Sequence, residues 1–265
     1  RAGEKPFYYN ITNERFIFSS ELKGILKIPS IDKKIDLDGL DCYLGMGYIP
    51  GDLCIIQGMK KLPPAHAMVY ELKTGNLKKW RYWELPEFID SHKSENDLIN
   101  ELEWLLEDSV RRQLIADVPV GVLLSGGVDS SLVTAMAIRS NSKVKTFTIC
   151  FPGYRKYDET EHARLIANHF GTEHIELEAE ESTVENLPIL AKQFDEPMID
   201  SSMIPTYLVS KLIRKYCTVA LGGDGGDELF GGYGHHSRLL WLKNRLSSLP
   251  NTLIRSPIAK LSEII

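Results

Sequence analysis

The stretch that most constrains this chain is Val122-Leu-Leu-Ser-Gly-Gly-Val-Asp-Ser-Ser131. An apolar run stops at Ser125-Gly126-Gly127, and a helical pattern restarts through Asp129, Ser130 and Ser131. The order is therefore strand, tight glycine turn, helix. Two adjacent glycines let backbone N–H groups, together with the hydroxyls of Ser125 and Ser130, face the positive end of the new helix. Such a concavity suits a phosphate or pyrophosphate. The alternative is a plain glycine turn after a buried strand. The loop has neither the three spaced glycines of a dinucleotide fingerprint nor the Lys-Ser/Thr of a Walker loop.

The pattern on either side supports an α/β fold. Spacing predicts strands at 118–124, 144–151, 173–178 and 217–221, and helices at 129–139, 158–170 and 204–216, the second of these helices closing at Gly171. Apolar strands with helical connections make a parallel sheet covered on both faces, with ligands beyond the carboxyl ends of its strands. Ahead of it, Ser94 and Asp97 make a capping-box-like start to a helix with Leu98, Ile99, Leu102, Leu105, Leu106 and Val110 on one face.

The front of the chain reads differently. Residues 7–18 form two aromatic strands around Asn13-Glu14, and residues 67–83 repeat the pattern around Thr74-Gly75-Asn76. Short helical periodicities lie at 21–28 and 37–49. The composition turns polar past Trp83, which places a domain boundary at 84/85: a β-rich domain over 1–84 and the α/β domain over 85–265.

A second glycine loop, Leu221-Gly-Gly-Asp-Gly-Gly-Asp-Glu-Leu-Phe-Gly-Gly-Tyr233, follows the fourth of these strands. Carboxylates beside a pyrophosphate would repel it unless a hard cation stands between them. Magnesium held by one or two carboxylates and phosphate oxygens is the usual solution, so Asp129 and an acid of this loop are candidate ligands. Taken alone, the stretch also fits a solvated loop or a calcium-like turn.

Ser125 to Ser130 resembles the pyrophosphatase loop Ser-Gly-Gly-x-Asp-Ser, and the chain as a whole resembles the glutamine-dependent asparagine synthetases. Arg1 to Tyr9, Phe16 to Lys23, Leu62 to His66, Tyr82-Trp83, Tyr157 to Glu159, Phe170 to His174, Asp195-Glu-Pro197, Asp200 to Ser202 and Pro205-Thr-Tyr207 follow in that family's order. The resemblance implies a parallel-sheet ATP-pyrophosphatase (adenine nucleotide α-hydrolase-like) domain preceded by the β-rich end of an N-terminal-nucleophile glutaminase domain. It implies ATP and Mg2+, aspartate or another carboxylate, and ammonia derived from glutamine, with an acyl-adenylate, AMP and pyrophosphate along the way. A homodimer is compatible with it.

By the same resemblance, Ser125, Gly126, Gly127, Asp129 and Ser130 hold the pyrophosphate, and Asp129 and Asp227 bind the metal. Leu123, Ile149 and Gly223 line the adenosine pocket, and Asp224 takes the place of a glutamate implicated in proton transfer. Gly222 stands where a serine is common, and the Asp195–Tyr207 segment lacks an arginine that some members carry. The family's cysteine nucleophile and a downstream lysine have no counterpart here, so the expectation is no glutamine hydrolysis by this stretch and an incomplete synthetase site. A lactam-forming or sugar-acid amidotransferase, a tRNA-modifying enzyme and an inactive nucleotide-binding chain are the alternatives.

Composition narrows the partners. With 265 residues, 43% of them hydrophobic, the chain can bury a real core. Its net charge of −5 argues against nucleic acid. No run reaches membrane-spanning length and no targeting segment opens the chain, so neither a membrane nor a compartment other than the cytoplasm is expected. Cys42, Cys54, Cys150 and Cys217 read as free thiols. Arg111, Arg112, Arg155 and Lys156 read as surface charges. Trp104 and Trp241 read as packing residues, and His235 and His236 as a loop or helix start without a metal.

Overall fold

The structure is a computed structural model and describes residues 1–12, 14–87, 89, 91–141, 143–150, 158–179 and 186–247. Asn13, Arg155, Lys156 and Tyr157 lie outside the described residues. The chain forms two compact units: Arg1–Ser94 with Glu181–Lys211, and Glu95–Glu180 with Leu212–Ile265.

In the first unit, β1 (Tyr8–Ile11) pairs antiparallel with β2 (Phe16–Ser19), the hairpin that the aromatic alternation predicts. Its other edge pairs with β3 (Lys60–Lys61), a strand too short to leave a sequence signal. Between them, α1 (Leu22–Ile25) and α2 (Leu37–Met46) follow the expected periodicities. Helix α2 starts where the Asp36 carboxylate accepts the Gly39 N–H at 2.9 Å and ends at Gly47 with φ 81°. Asp36 thus satisfies an orphan donor, and the left-handed cap needs glycine. Strands β4 (His66–Tyr70) and β5 (Leu77–Arg81) make the second predicted hairpin. Tyr8, Leu22, Ile25, Ile31, Cys54 and Met59 form the core of this unit.

Helices α6 (Leu187–Gln193) and α7 (Met203–Ile213) follow later in the chain, and the segment linking them is fixed to the first unit by polar contacts. Glu196 accepts the Ile55 N–H and the Lys61 Nζ, each at 2.8 Å, and Tyr8 Oη donates to it at 3.4 Å. Lys61 Nζ also donates to the Ile49 carbonyl at 2.6 Å. Asp195 accepts the Lys23 N–H at 3.1 Å. Burial and the neighbouring Glu196 and Asp195 charges push the Tyr8 phenol well above its ordinary range, and burial pushes the Cys54 thiol up to about 12.

The second unit opens on α3 (Glu95–Gln113). It then alternates β6 (Val120–Leu123), α4 (Val128–Ser140), β7 (Lys145–Cys150), α5 (Thr160–Phe170) and β8 (Glu173–Glu178), with β9 (Val219–Leu221), α8 (Gly226–Phe230) and α9 (Gly234–Ser247) following. Among the described residues the strands make one parallel sheet in the order β8-β7-β6-β9. Val122 and Leu221 share a cluster on one face with Val110, Met136, Ala137 and Val144, and Leu124 packs with Ala163 and Ala167 of α5. On the opposite face Phe147 meets Tyr216 at 5.6 Å between ring centroids. Gly121 is required there, because a Cβ would strike Phe147 and lie 3.1 Å from Cys217 Sγ. Helix α5 ends as expected at Gly171, in the left-handed region at φ 67°.

Several expectations need correction. The strand predicted at 217–221 covers Val219–Leu221, and the helix predicted to reach 216 stops at Ile213, where tighter bonds from Lys215 to Leu212 and Tyr216 to Ile213 close it. Only Leu106 and Val110 of the α3 stripe join the core; Leu98, Ile99, Leu102 and Leu105 are exposed. Trp104 and Trp241 are exposed too, at 64% and 57%, rather than packed. Arg111 and Arg112 do lie on a solvated face, both paired with Asp108. The four cysteines are free, with Cys54 and Cys217 buried.

Candidate active site

Strand β6 lies between β7 and β9, and all three run parallel. The connection after β6 leads through α4 to β7 on one side, while β9 joins on the other, so the loops after β6 and β9 flank a switch point in strand order. Crevices that bind ligands form at such points. The two glycine loops singled out in the sequence are these two loops.

The first loop is held from within. Ser125 Oγ and Ser130 Oγ share a 2.9 Å hydrogen bond, Ser130 Oγ contacts the Gly127 carbonyl at 3.2 Å, and the Ser125 and Gly127 N–H groups donate to the two serine hydroxyls. Gly126 has φ 83°, and a Cβ on it would lie 2.5 Å from His162 Cβ and 2.7 Å from the Ala163 nitrogen. Both its conformation and its space exclude a side chain. Gly127 caps α4 without a side-chain bond, so the first N–H groups of that helix remain available to an anion.

The second loop presses against the first. A Cβ on Gly223 would stand 2.8 Å from Asp129 Cβ and 3.0 Å from the Ser130 nitrogen, and one on Gly226 would meet the Asp129 carboxylate at 2.5–2.8 Å. Asp129 is thus seated against bare backbone. The stretch read as a loop contains a short helix, α8, which starts at Gly225 with φ 91° and closes at Gly231 with φ 70°. Glycine at this density hides a helix from propensity reading.

A cavity of 330 Å3 between the loops is lined by Ser125, Gly127, Asp129, Ser130, Gly223 and Asp224, among others, and continues to Asp227, Glu228 and Tyr233. The predicted pyrophosphate and metal residues therefore come together, except Gly126, which turns the chain behind them. Leu123 and Ile149 do not line this cavity: they lie on β6 and β7, on the sheet face that carries Phe147. Asp224 is exposed at the rim, and its carboxylate folds over the place a Cβ on Gly222 would occupy.

Sequence reasoning missed Glu228 and Tyr233. Tyr233 Oη donates to Glu228 Oε1 at 2.7 Å, which lowers the Glu228 carboxyl and raises the Tyr233 phenol from their ordinary ranges. The signal available was Gly231-Gly232, a pair able to turn the chain back on α8.

The donor set suits a hard cation. Asp129, Asp224 and Asp227 have no ion-pair or hydrogen-bond partner for their carboxylates among the described residues, and their companions in the cavity are oxygens. No group of three acidic, histidine or cysteine side chains at metal-holding distance occurs among the described residues. Two carboxylates completed by phosphate oxygens and water match the coordination magnesium favours.

Fold and site together define an α/β domain with two glycine loops meeting at the switch point of a parallel sheet. The chain belongs to the asparagine synthase family, whose model matches residues 101–264, and a glutamine amidotransferase domain model matches residues 1–83. A Methanocaldococcus jannaschii protein provisionally named asparagine synthetase (glutamine-hydrolysing) 2 is 42% identical over 241 residues, which is 89% of this chain and 46% of that one. Asparagine synthetase (glutamine-hydrolysing) 1 of Bacillus subtilis is 33% identical, over 91% of this chain and 38% of its own. The chain thus spans less than half the length of these relatives. Among solved structures, glutamine-dependent NAD+ synthetase from Acinetobacter baumannii, in complex with ADP, is similar over 68% of this chain and 32% of its own, with TM-score 0.38 and 18% identity.

Proposed function

We propose that the protein amidates a carboxylate through an acyl-adenylate, converting aspartate to asparagine with ATP and glutamine-derived ammonia and releasing AMP and pyrophosphate. The observation that carries this reading is the meeting of the Ser125–Ser130 loop and the Gly222–Asp227 loop around one cavity at the switch point. Family membership and the amidotransferase match at 1–83 support the glutamine side. The division into a glutaminase part, 1–84, and a synthetase part, 85–265, belongs to the same reading, as does a cytoplasmic location. No helix among the described residues is long and apolar enough to cross a membrane.

In this mechanism the free N–H groups at the start of α4 and the hydroxyls of Ser125 and Ser130 hold the β- and γ-phosphates. The two serines exchange their mutual bond for bonds to phosphate oxygens. Asp129 and Asp227 would hold magnesium, which neutralises phosphate charge and makes pyrophosphate a better leaving group. Leu123, Ile149 and Gly223 bound the adenosine side. A carboxylate oxygen of the acceptor attacks the α-phosphorus and pyrophosphate departs; ammonia then attacks the acyl carbon, loses a proton to Asp224, and AMP departs. Asp129→Asn and Asp227→Asn should each weaken magnesium-dependent binding of a non-hydrolysable ATP analogue about tenfold, with thermal midpoints unchanged. Unaltered affinity in both variants would overturn the metal assignment.

One observation favours a second acceptor. Gly222 sets no side chain beside Asp224, whose carboxylate folds back over it, and a carboxylate larger than aspartate is the second reading. Competition between aspartate and larger acids for AMP formation separates the two.

A further inference from the structure

Helix α8 carries Asp227 yet has five residues and none buried; Leu229 and Phe230 are 77% and 57% exposed. Apart from Gly226 against Asp129, little packing supports it, and short helices in water are marginal without packing. Its hydrogen bonds converge on the residue that matters. The N–H groups of Gly231 and Gly232 both donate to the Asp227 carbonyl, and a Cβ on Gly232 would run into the Asp227 carboxylate. The chain then turns so that Tyr233 reaches back to Glu228, the residue next to Asp227, at 2.7 Å. Tyr233 is itself anchored on the start of α9. Its ring stacks on His235 at 5.3 Å and 15°, meets His236 edge-on at 5.9 Å, and its carbonyl accepts the His236 N–H at 3.0 Å.

We propose that Tyr233 and Glu228 form a clasp that fixes α8 and so sets where the Asp227 carboxylate stands in the cavity, making Tyr233 a positioning residue for the divalent cation. The inference rests on the magnesium assignment above. The clasp ties the helix bearing one ligand to α9 across the Gly231-Gly232 bend. Glycine at 231 and 232 makes the bend possible, and the phenolic hydroxyl closes it. A hydrogen bond to a carboxylate is among the stronger neutral-donor bonds, so one hydroxyl suffices to bias a short helix.

The test is Mn2+ binding followed by electron paramagnetic resonance, in the presence of α,β-methylene-ATP. Tyr233→Phe keeps the ring stack and removes the donor, and should weaken Mn2+ binding roughly tenfold, about 1.4 kcal/mol. Glu228→Ala should match it, the double variant should be no weaker than either single one, and Glu228→Gln, whose amide oxygen still accepts the phenol, should retain affinity within about twofold. Analogue binding without cation should be unchanged in all of them. Wild-type Mn2+ affinity in Tyr233→Phe, or additive losses in the double variant, would overturn the clasp. Asp227→Asn separates the two levels: lost affinity there with none lost in Tyr233→Phe refutes the clasp alone, and no loss in Asp227→Asn refutes the cation assignment beneath it.

Discussion

Replacing Glu196 with alanine should destabilise the first unit more than any other single carboxylate truncation in it. The Glu196 and Lys61 side chains are 12% and 15% exposed, with Nζ and Oε2 2.8 Å apart. Truncation leaves the Lys61 ammonium with only the Ile49 carbonyl and strips the acceptor from the Ile55 N–H and the Tyr8 hydroxyl. Removing one member of a buried pair costs about 3–5 kcal/mol. The residual solvent access and the bond to Ile49 place this case near the lower figure, about 3 kcal/mol, a large share of the ~5–15 kcal/mol that holds a domain. Lys61→Met in the same background closes a double-mutant cycle, for which a coupling of about 1.5–3 kcal/mol is expected. The readouts are urea unfolding followed through Trp80 and Trp83, and hydrogen exchange at the Ile55 amide. Coupling below about 0.5 kcal/mol, or unchanged protection of Ile55 in Glu196→Ala, would refute the argument.

Gly126→Ala should cost at least about 1–2 kcal/mol, from left-handed backbone alone, and more from the contact with His162; a thermal midpoint equal to wild type would contradict the geometry. The His174 side chain is 11% exposed, its Nδ1 bonds Thr146 Oγ1 at 2.9 Å, its Nε2 has no hydrogen bond and lies 4.0 Å from Glu176 Oε1, and burial, outweighing the Glu176 charge, lowers its pKa below the ordinary 6.5. A folded pKa below the unfolded one means that the unfolded chain takes up the proton first, so the stabilisation is complete above about pH 6.5 and declines as pH falls through 6.5 toward the lowered value. His174→Gln should flatten the dependence of the urea midpoint on pH over that window, and an equally steep dependence in the variant would assign it elsewhere. With its thiol pushed up to about 12 by burial, Cys54 should resist iodoacetamide at pH 8 while the half-buried Cys42 reacts; equal rates by mass spectrometry would contradict its burial.

The parts legible in the sequence are those with local signatures. The run from β6 to β8 is bounded by apolar strands, an amphipathic α5 and a glycine cap, so its order and most of its limits follow from spacing. The two glycine loops were legible because each follows a strand whose end the parallel sheet places on one edge. What escaped depends on contacts between distant residues. Lys61 and Glu196, or Lys23 and Asp195, have no common period, so the attachment of the segment between α6 and α7 to the first unit has no signature in sequence. Likewise the exposed upper stripe of α3 is as amphipathic as its packed end, and only the sheet decides which residues it covers. The return of Tyr233 to Glu228 was hidden among glycines whose turn geometry composition alone does not fix.

Activation of the acceptor as an acyl-adenylate at the paired loops, as proposed, moves a carboxylate oxygen onto the nucleotide. It can be followed with aspartate labelled with 18O in its side-chain carboxylate, incubated with the protein, MgATP and ammonium, and with mass spectrometry of the nucleotide products. One 18O atom should pass to AMP for each asparagine formed, with pyrophosphate left unlabelled. Label in inorganic phosphate, accompanied by ADP, would show attack at the γ-phosphate and rule out adenylation.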